Sequence, residues 1–122
     1  MLVINYTILM EARERQLLYY ETEDGKQPFR EWFQSLKDRE TRNKIRARMD
    51  RVSLGNFGYC KPVGEGVSEL KIDFGPGFRV YFGQVRDEIV LLLLGGDKKS
   101  QKRDIEIARD YWADYRRRYG KG

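Results

Sequence analysis

The spacing of apolar positions along this chain changes period three times. Residues 16–22, QLLYYET, are a short run of strand-forming side chains, and EDGK after them supplies turn chemistry through Asp24-Gly25. From residue 28 the spacing becomes helical. Phe29, Trp32, Phe33 and Leu36 fall at i, i+3, i+4 and i+7, and Pro28 suits a first helical turn. Asp38 is placed to cap a second helix running to Ser53, whose apolar stripe is thin: Ile45, Met49 and Val52, with Ala47 beside them. Gly55 ends it. These two segments predict a helical hairpin. The stretch 56–66, NFGYCKPVGEG, reads as a glycine-rich loop. Period-two alternation then returns in VSELKIDF and FRVYFGQV, followed by EIVLLLLG, a nearly continuous apolar run expected inside the sheet and covered on both faces. A basic segment, DKKSQKR, leads into DIEIARDYWADYRRRYG, where Ile105, Ala108, Tyr111, Trp112 and Tyr115 recur at helical spacing. The predicted order is β-α-α-β-β-β-α. This is an α+β domain, a helical hairpin packed on a small antiparallel β-sheet whose last three strands form a meander.

The turn Gly75-Pro76-Gly77 fits a three-residue hairpin loop. That register pairs Phe74 with Phe78, Asp73 with Arg79, Ile72 with Val80 and Lys71 with Tyr81. It gathers Leu70, Ile72, Phe74, Phe78, Val80 and Phe82 on one face, to be covered by the helical hairpin, and a one-residue slip would oppose apolar to charged side chains. Lys71, Asp73, Arg79 and Tyr81 then share the opposite face, close enough across the strands to touch. For an arbitrary sheet such a cluster is a solvated surface with a weak ion pair. Lys61 before these strands, and Lys98, Lys99, Lys102 and Arg103 after them, give it a basic rim instead.

The chain has 122 residues, is 40% hydrophobic and carries a net charge of +5. That length predicts one domain, and the charge, with a pI near 9.4, favours a polyanion or an acidic partner. There is no histidine, which excludes His-based nucleophile systems and His-ligated metal sites. The single cysteine, Cys60, forms no internal disulfide and fits a reducing cytoplasm. No segment is apolar over the length a membrane span requires. MLVINYTILM lacks the basic leading region of a signal peptide. It reads either as an extension, with Met10 as the alternative start, or as an extra edge strand over residues 3–9. The division drawn is an N-terminal extension, 1–15, and a domain, 16–119.

The run KPVGEGVSELKIDFGPGFRVYF followed by IVLLLLGGDKKSQKRDIEIA, with the PFREWFQSLKD helix start and the LGNFG turn, resembles the RelE/ParE toxin superfamily. The resemblance spans roughly residues 16–115. Its branch is the addiction-module killer proteins, similar to HigB-type toxins of bacterial type II toxin–antitoxin systems. It implies a RelE-like fold that agrees with the order above. It also implies a ribosome-dependent endoribonuclease acting on messenger RNA, and a cognate antitoxin with a helix-turn-helix DNA-binding domain, through which alone operator DNA would be contacted. Carried onto this chain, it points to Lys71 on the strand before the hairpin, Arg79 within it, Lys98 and Lys99 after the last strand, and Lys61 in the KP segment. Asp73 stands near where some relatives carry a second lysine. Tyr81 lies on the strand rather than in the C-terminal helix.

The chemistry implied needs neither cofactor nor metal. The 2′-hydroxyl attacks the adjacent phosphorus, a base takes its proton, cations hold the extra negative charge, and an acid protonates the departing 5′-oxygen. On this reading Arg79 grips the phosphate with its planar fork. Lys71 or Asp73 is the base, Tyr81 stacks on a base or acts as the acid, and Lys61, Lys98, Lys99 and Arg103 hold RNA backbone. Two other readings fit the same fold: a ParE-like inhibitor that binds DNA gyrase, and a nucleic-acid-binding module without catalysis.

Overall fold

A computed structural model describes residues 13–120. The extension or edge strand expected over residues 1–9, and the choice between Met1 and Met10, lie outside the described residues. The elements in chain order are β1 (Gln16–Tyr19), α1 (Pro28–Ser35), α2 (Arg39–Ser53), β2 (Cys60–Gly64), β3 (Val67–Ile72), β4 (Phe78–Val85), β5 (Ile89–Asp97) and α3 (Gln101–Tyr119). The expected α+β order holds, with one more strand. The helix signals are realised as read: Pro28 sits in the first turn of α1, and the Asp38 carboxylate accepts from the Thr41 N–H at 3.1 Å to cap α2. The added strand is β2, drawn from the predicted loop. Its Pro62 and glycine obscure it in the sequence, yet both are tolerated because β2 is an edge strand, bulged between Pro62 and Gly64.

The five strands form one sheet in the order β1-β5-β4-β3-β2. Strands β3 to β5 are the predicted antiparallel meander, which β2 extends at one edge, whereas β1 runs parallel to β5, so the sheet is mixed. Parallel pairing leaves β5 internal, which accounts for its apolar run.

The β3–β4 register differs from the expected one by two residues. Ile72 pairs with Phe78, Lys71 with Arg79, Leu70 with Val80 and Glu69 with Tyr81. The turn itself causes the shift. The Phe74 N–H bonds the Ile72 carbonyl at 3.0 Å and the Gly77 N–H bonds the Phe74 carbonyl at 2.9 Å, which takes Asp73 and Phe74 out of the ladder. A two-residue shift preserves side-chain parity, so the predicted apolar face survives.

Each face of the sheet has its own core. On one, Phe29 from α1 and Ile45, Met49 and Val52 from α2 pack on Leu70, Ile72, Val80, Phe82, Val90 and Leu92. On the other, Ala108 and Trp112 of α3 pack on Tyr20, Val67, Tyr81, Leu91 and Leu93. The face expected to display its polar cluster openly is therefore largely roofed by the C-terminal helix.

Candidate functional site

Under the first turns of α3, the ladder sets polar side chains in two adjacent rows across the sheet. Lys71, Arg79 and Gly96 are successive cross-strand partners in one row; Lys61, Glu69, Tyr81 and Leu94 occupy the next. Gly96 is required where it stands. A β-carbon there would come within 2.0 Å of the Asp104 Oδ2, so glycine allows α3 to seat its carboxylate against the sheet.

Arg79 lies at the centre. It is 7% exposed, its Nε and Nη1 atoms are buried without a hydrogen-bond partner, and among the described residues it forms no ion pair. Burying a guanidinium carries a desolvation cost that no hydrogen bond within the protein offsets at these two nitrogens. Two buried carboxylates stand in the neighbouring part of the site that the sequence did not single out. Glu69 is buried and accepts a 2.8 Å hydrogen bond from the Gln101 amide. Asp104 is buried and accepts from the Ser100 hydroxyl at 2.5 Å. Ser100 is itself held by its N–H to the Asp97 carboxylate at 3.2 Å. The available signal was the i, i+4 spacing of Ser100 and Asp104 and the place of Glu69 in the alternation of β3.

Tyr81 is fully buried, which removes ring stacking on a nucleobase from its options. Burial first, and then the Glu69 carboxylate, hold its phenol well above the usual tyrosine range, so it keeps its proton at neutral pH. Its hydroxyl has no hydrogen-bond partner among the described residues. Asp73 leaves the ladder and stands in the turn, its side chain 87% exposed, with its carboxylate 3.8 Å from the Lys71 ammonium. Lys61 is exposed on β2 beside Glu69. Lys98 and Lys99 are exposed where β5 ends, and the Lys98 N–H bonds the Gly77 carbonyl at 3.1 Å, which fixes that segment to the hairpin turn. Arg103 is exposed on the first turn of α3, its Nε 3.9 Å from Asp104. The structure thus brings together Lys71, Arg79, Tyr81 and Lys61, with Lys98 at the turn, and sets Asp73 and Arg103 at the margin.

Among the described residues, no three His, Cys, Asp or Glu side chains gather as metal ligands, and no helix is long and apolar enough to cross a membrane. The model of the family described as Phage derived protein Gp49-like (DUF891) matches residues 31–112, from within α1 to Trp112. The chain belongs to the Gp49-like family. An uncharacterized protein of Haemophilus influenzae is 44% identical over 81 residues, spanning 66% of this chain and 82% of that relative. The Gp49-like family is part of the RelE/HigB-like group of toxin–antitoxin toxins, so this member is a toxin of that group and its family implies a cognate antitoxin. The matched span of this Gp49-like chain contains both polar rows and the whole basic rim.

Proposed function

We propose that this Gp49-like toxin is a metal-independent, ribosome-dependent endoribonuclease that cuts messenger RNA in the manner of HigB-type toxins, in the cytoplasm. The domain 16–119 is the working unit and 1–15 an extension. The observation that carries this reading is the Arg79 guanidinium: buried, unpaired in the protein, and in register with Lys71. A phosphodiester supplies the acceptors those N–H groups lack. Its charge increases as the 2′-oxygen bonds to phosphorus and the 5′-oxygen leaves, so a fixed guanidinium holds the transition state more tightly than the ground state.

The 2′-hydroxyl proton passes to the Lys71–Asp73 pair. Tyr81, protonated and in the row next to Arg79, gives its phenolic proton to the departing 5′-oxygen. Lys61, Lys98, Lys99 and Arg103 neutralise flanking phosphates. The cognate antitoxin, a helix-turn-helix protein that alone meets operator DNA, restrains the activity.

The test is brief induction of wild type and Arg79→Ala, with 5′ ends of cellular messenger RNA mapped afterwards. New cuts within translated frames are expected in wild type, falling by about 100-fold or more in the variant, the scale of removing one preorganised donor. Retained antitoxin binding would show that the variant folds. Growth arrest with DNA damage and without cuts would instead place the protein with the gyrase inhibitors.

A further inference from the structure

The row through Lys71 and Arg79 extends one strand further, to Tyr59. The Lys71 N–H bonds the Tyr59 carbonyl at 3.3 Å, continuing the β2–β3 ladder beyond Cys60. Tyr59 is 62% exposed, and its ring lies 6.0 Å from the Lys71 ammonium. Tyr59, just before β2, is thus joined to Lys71 of β3, which pairs with Arg79 of β4, an aromatic ring at the outer end and a buried guanidinium at the inner end.

The ring is exposed but its backbone is fixed. Arg48, buried on α2, donates through Nη1 to the Lys71 carbonyl at 2.6 Å, and through Nη2 to the carbonyls of Phe57 at 3.1 Å and Tyr59 at 3.2 Å. Gly58 makes that reach possible: it has φ +65°, and a β-carbon there would lie 2.7 Å from Arg48 Nη2. One buried cation is thus used to hold the segment carrying Tyr59 against β3. The groove in front is about 580 Å³ and lined by Arg48, Arg51, Gly58, Tyr59, Lys71 and Asp73.

Resting on the ribonuclease reading, we propose that Tyr59 is a nucleobase platform: a base of single-stranded RNA next to the scissile phosphate stacks on its ring, while the phosphate sits along Lys71 and Arg79. The occupant follows from the chemistry. An exposed ring 6.0 Å from the Lys71 ammonium, with Arg79 on the strand beyond Lys71, suits a stacked base joined to a phosphate. The Asp73 carboxylate, proposed above to share in taking the 2′-hydroxyl proton, lines the same groove as Tyr59, which puts the reacting ribose and its base at this end. Arg48 acts as a positioning residue, through the carbonyls it holds.

Wild type, Tyr59→Ala, Tyr59→Leu and Tyr59→Phe are induced as above and their cut sites mapped. Cutting is expected to fall by about 5- to 150-fold in the Ala and Leu variants, the range for losing one base–aromatic stack. The base preference beside the cut should flatten, and Phe should restore both. Thermal midpoints should stay at the wild-type value, since the ring is exposed. Wild-type cutting and unchanged base preference in Tyr59→Ala would overturn the platform while leaving the ribonuclease reading intact. A Phe variant as poor as Ala would overturn stacking by assigning the effect to the hydroxyl. Absence of cuts by the wild type would overturn both readings together.

Discussion

At Arg79, burial and charge oppose each other: the side chain is nearly inaccessible, yet two of its guanidinium nitrogens have no partner. A protein optimised for stability alone would place an apolar group there. Arg79→Met is therefore expected to raise stability, by about 1–3 kcal/mol in urea unfolding, while abolishing messenger cleavage. A less stable Met variant would mean that the guanidinium supports the fold. Arg79 and Lys71 were legible in the sequence because alternation assigns residues to faces. Their pairing with each other was not, because a three-residue and a five-residue loop give the same alternation, and the turn hydrogen bonds around Phe74 choose between them. Tyr81 was legible as a member of the cluster but not as a buried one. Which helix roofs a sheet face depends on packing between distant segments, a contact that local periodicity does not encode.

Among the elements, α3 carries most of the coupling between the site and the rest of the fold. Its first turn supplies Gln101 and Asp104 over the polar rows, and its last turns are fastened to the end of β1. There the Asp114 carboxylate accepts from the Tyr20 hydroxyl at 2.6 Å and from Arg118 at 2.6 and 3.0 Å, while Arg118 also donates to the Glu21 carbonyl. Replacing Asp114 with Ala leaves the buried Tyr20 hydroxyl without its acceptor. The expected loss is about 1–3 kcal/mol, read by chemical denaturation. The same clamp sets a pH dependence at both ends. Arg118, and then the Tyr20 hydroxyl, hold the Asp114 carboxyl below its usual range. Its contribution is complete above the ordinary carboxylate pKa and disappears as pH falls through the lowered folded value. Burial, and then Asp114, push the Tyr20 phenol up to about 12 from its usual 10.0. That contribution is complete below pH 10 and is lost as pH rises towards 12, so the thermal midpoint should fall across this interval in wild type and less steeply in Tyr20→Phe. In the sequence, α2 was readable from its cap and the end of α3 from its stripe. Strand β2 was hidden because an edge position permits the proline and glycine that argue against a strand.

For the molecule as a whole, the +5 charge matters through its placement. Lys98 and Lys99 stand where β5 ends, tied to the hairpin turn through the Gly77 carbonyl. If each holds a phosphate, a Lys98→Ala, Lys99→Ala double variant should bind single-stranded RNA more weakly, and its dependence of log affinity on log salt should flatten by about 1.4. A weaker variant with the wild-type salt slope would mean that these lysines act otherwise. The two cores, one under α1 and α2 and one under α3, were foreshadowed by the apolar run of β5. The parallel place of β1 was not, since a four-residue strand carries no mark of its direction. That placement bears on how the chain reaches its fold. Gln16 pairs with Ile89 and Tyr19 with Leu92, so the first strand finds its neighbour in the last. Closing so long a loop is entropically costly and comes late unless local structure brings the ends together. A Leu17→Ala variant should therefore unfold faster while folding at the wild-type rate. During synthesis on a ribosome, the sheet would stay unfinished until nearly the whole domain had emerged from the exit tunnel, a delay set by topology alone.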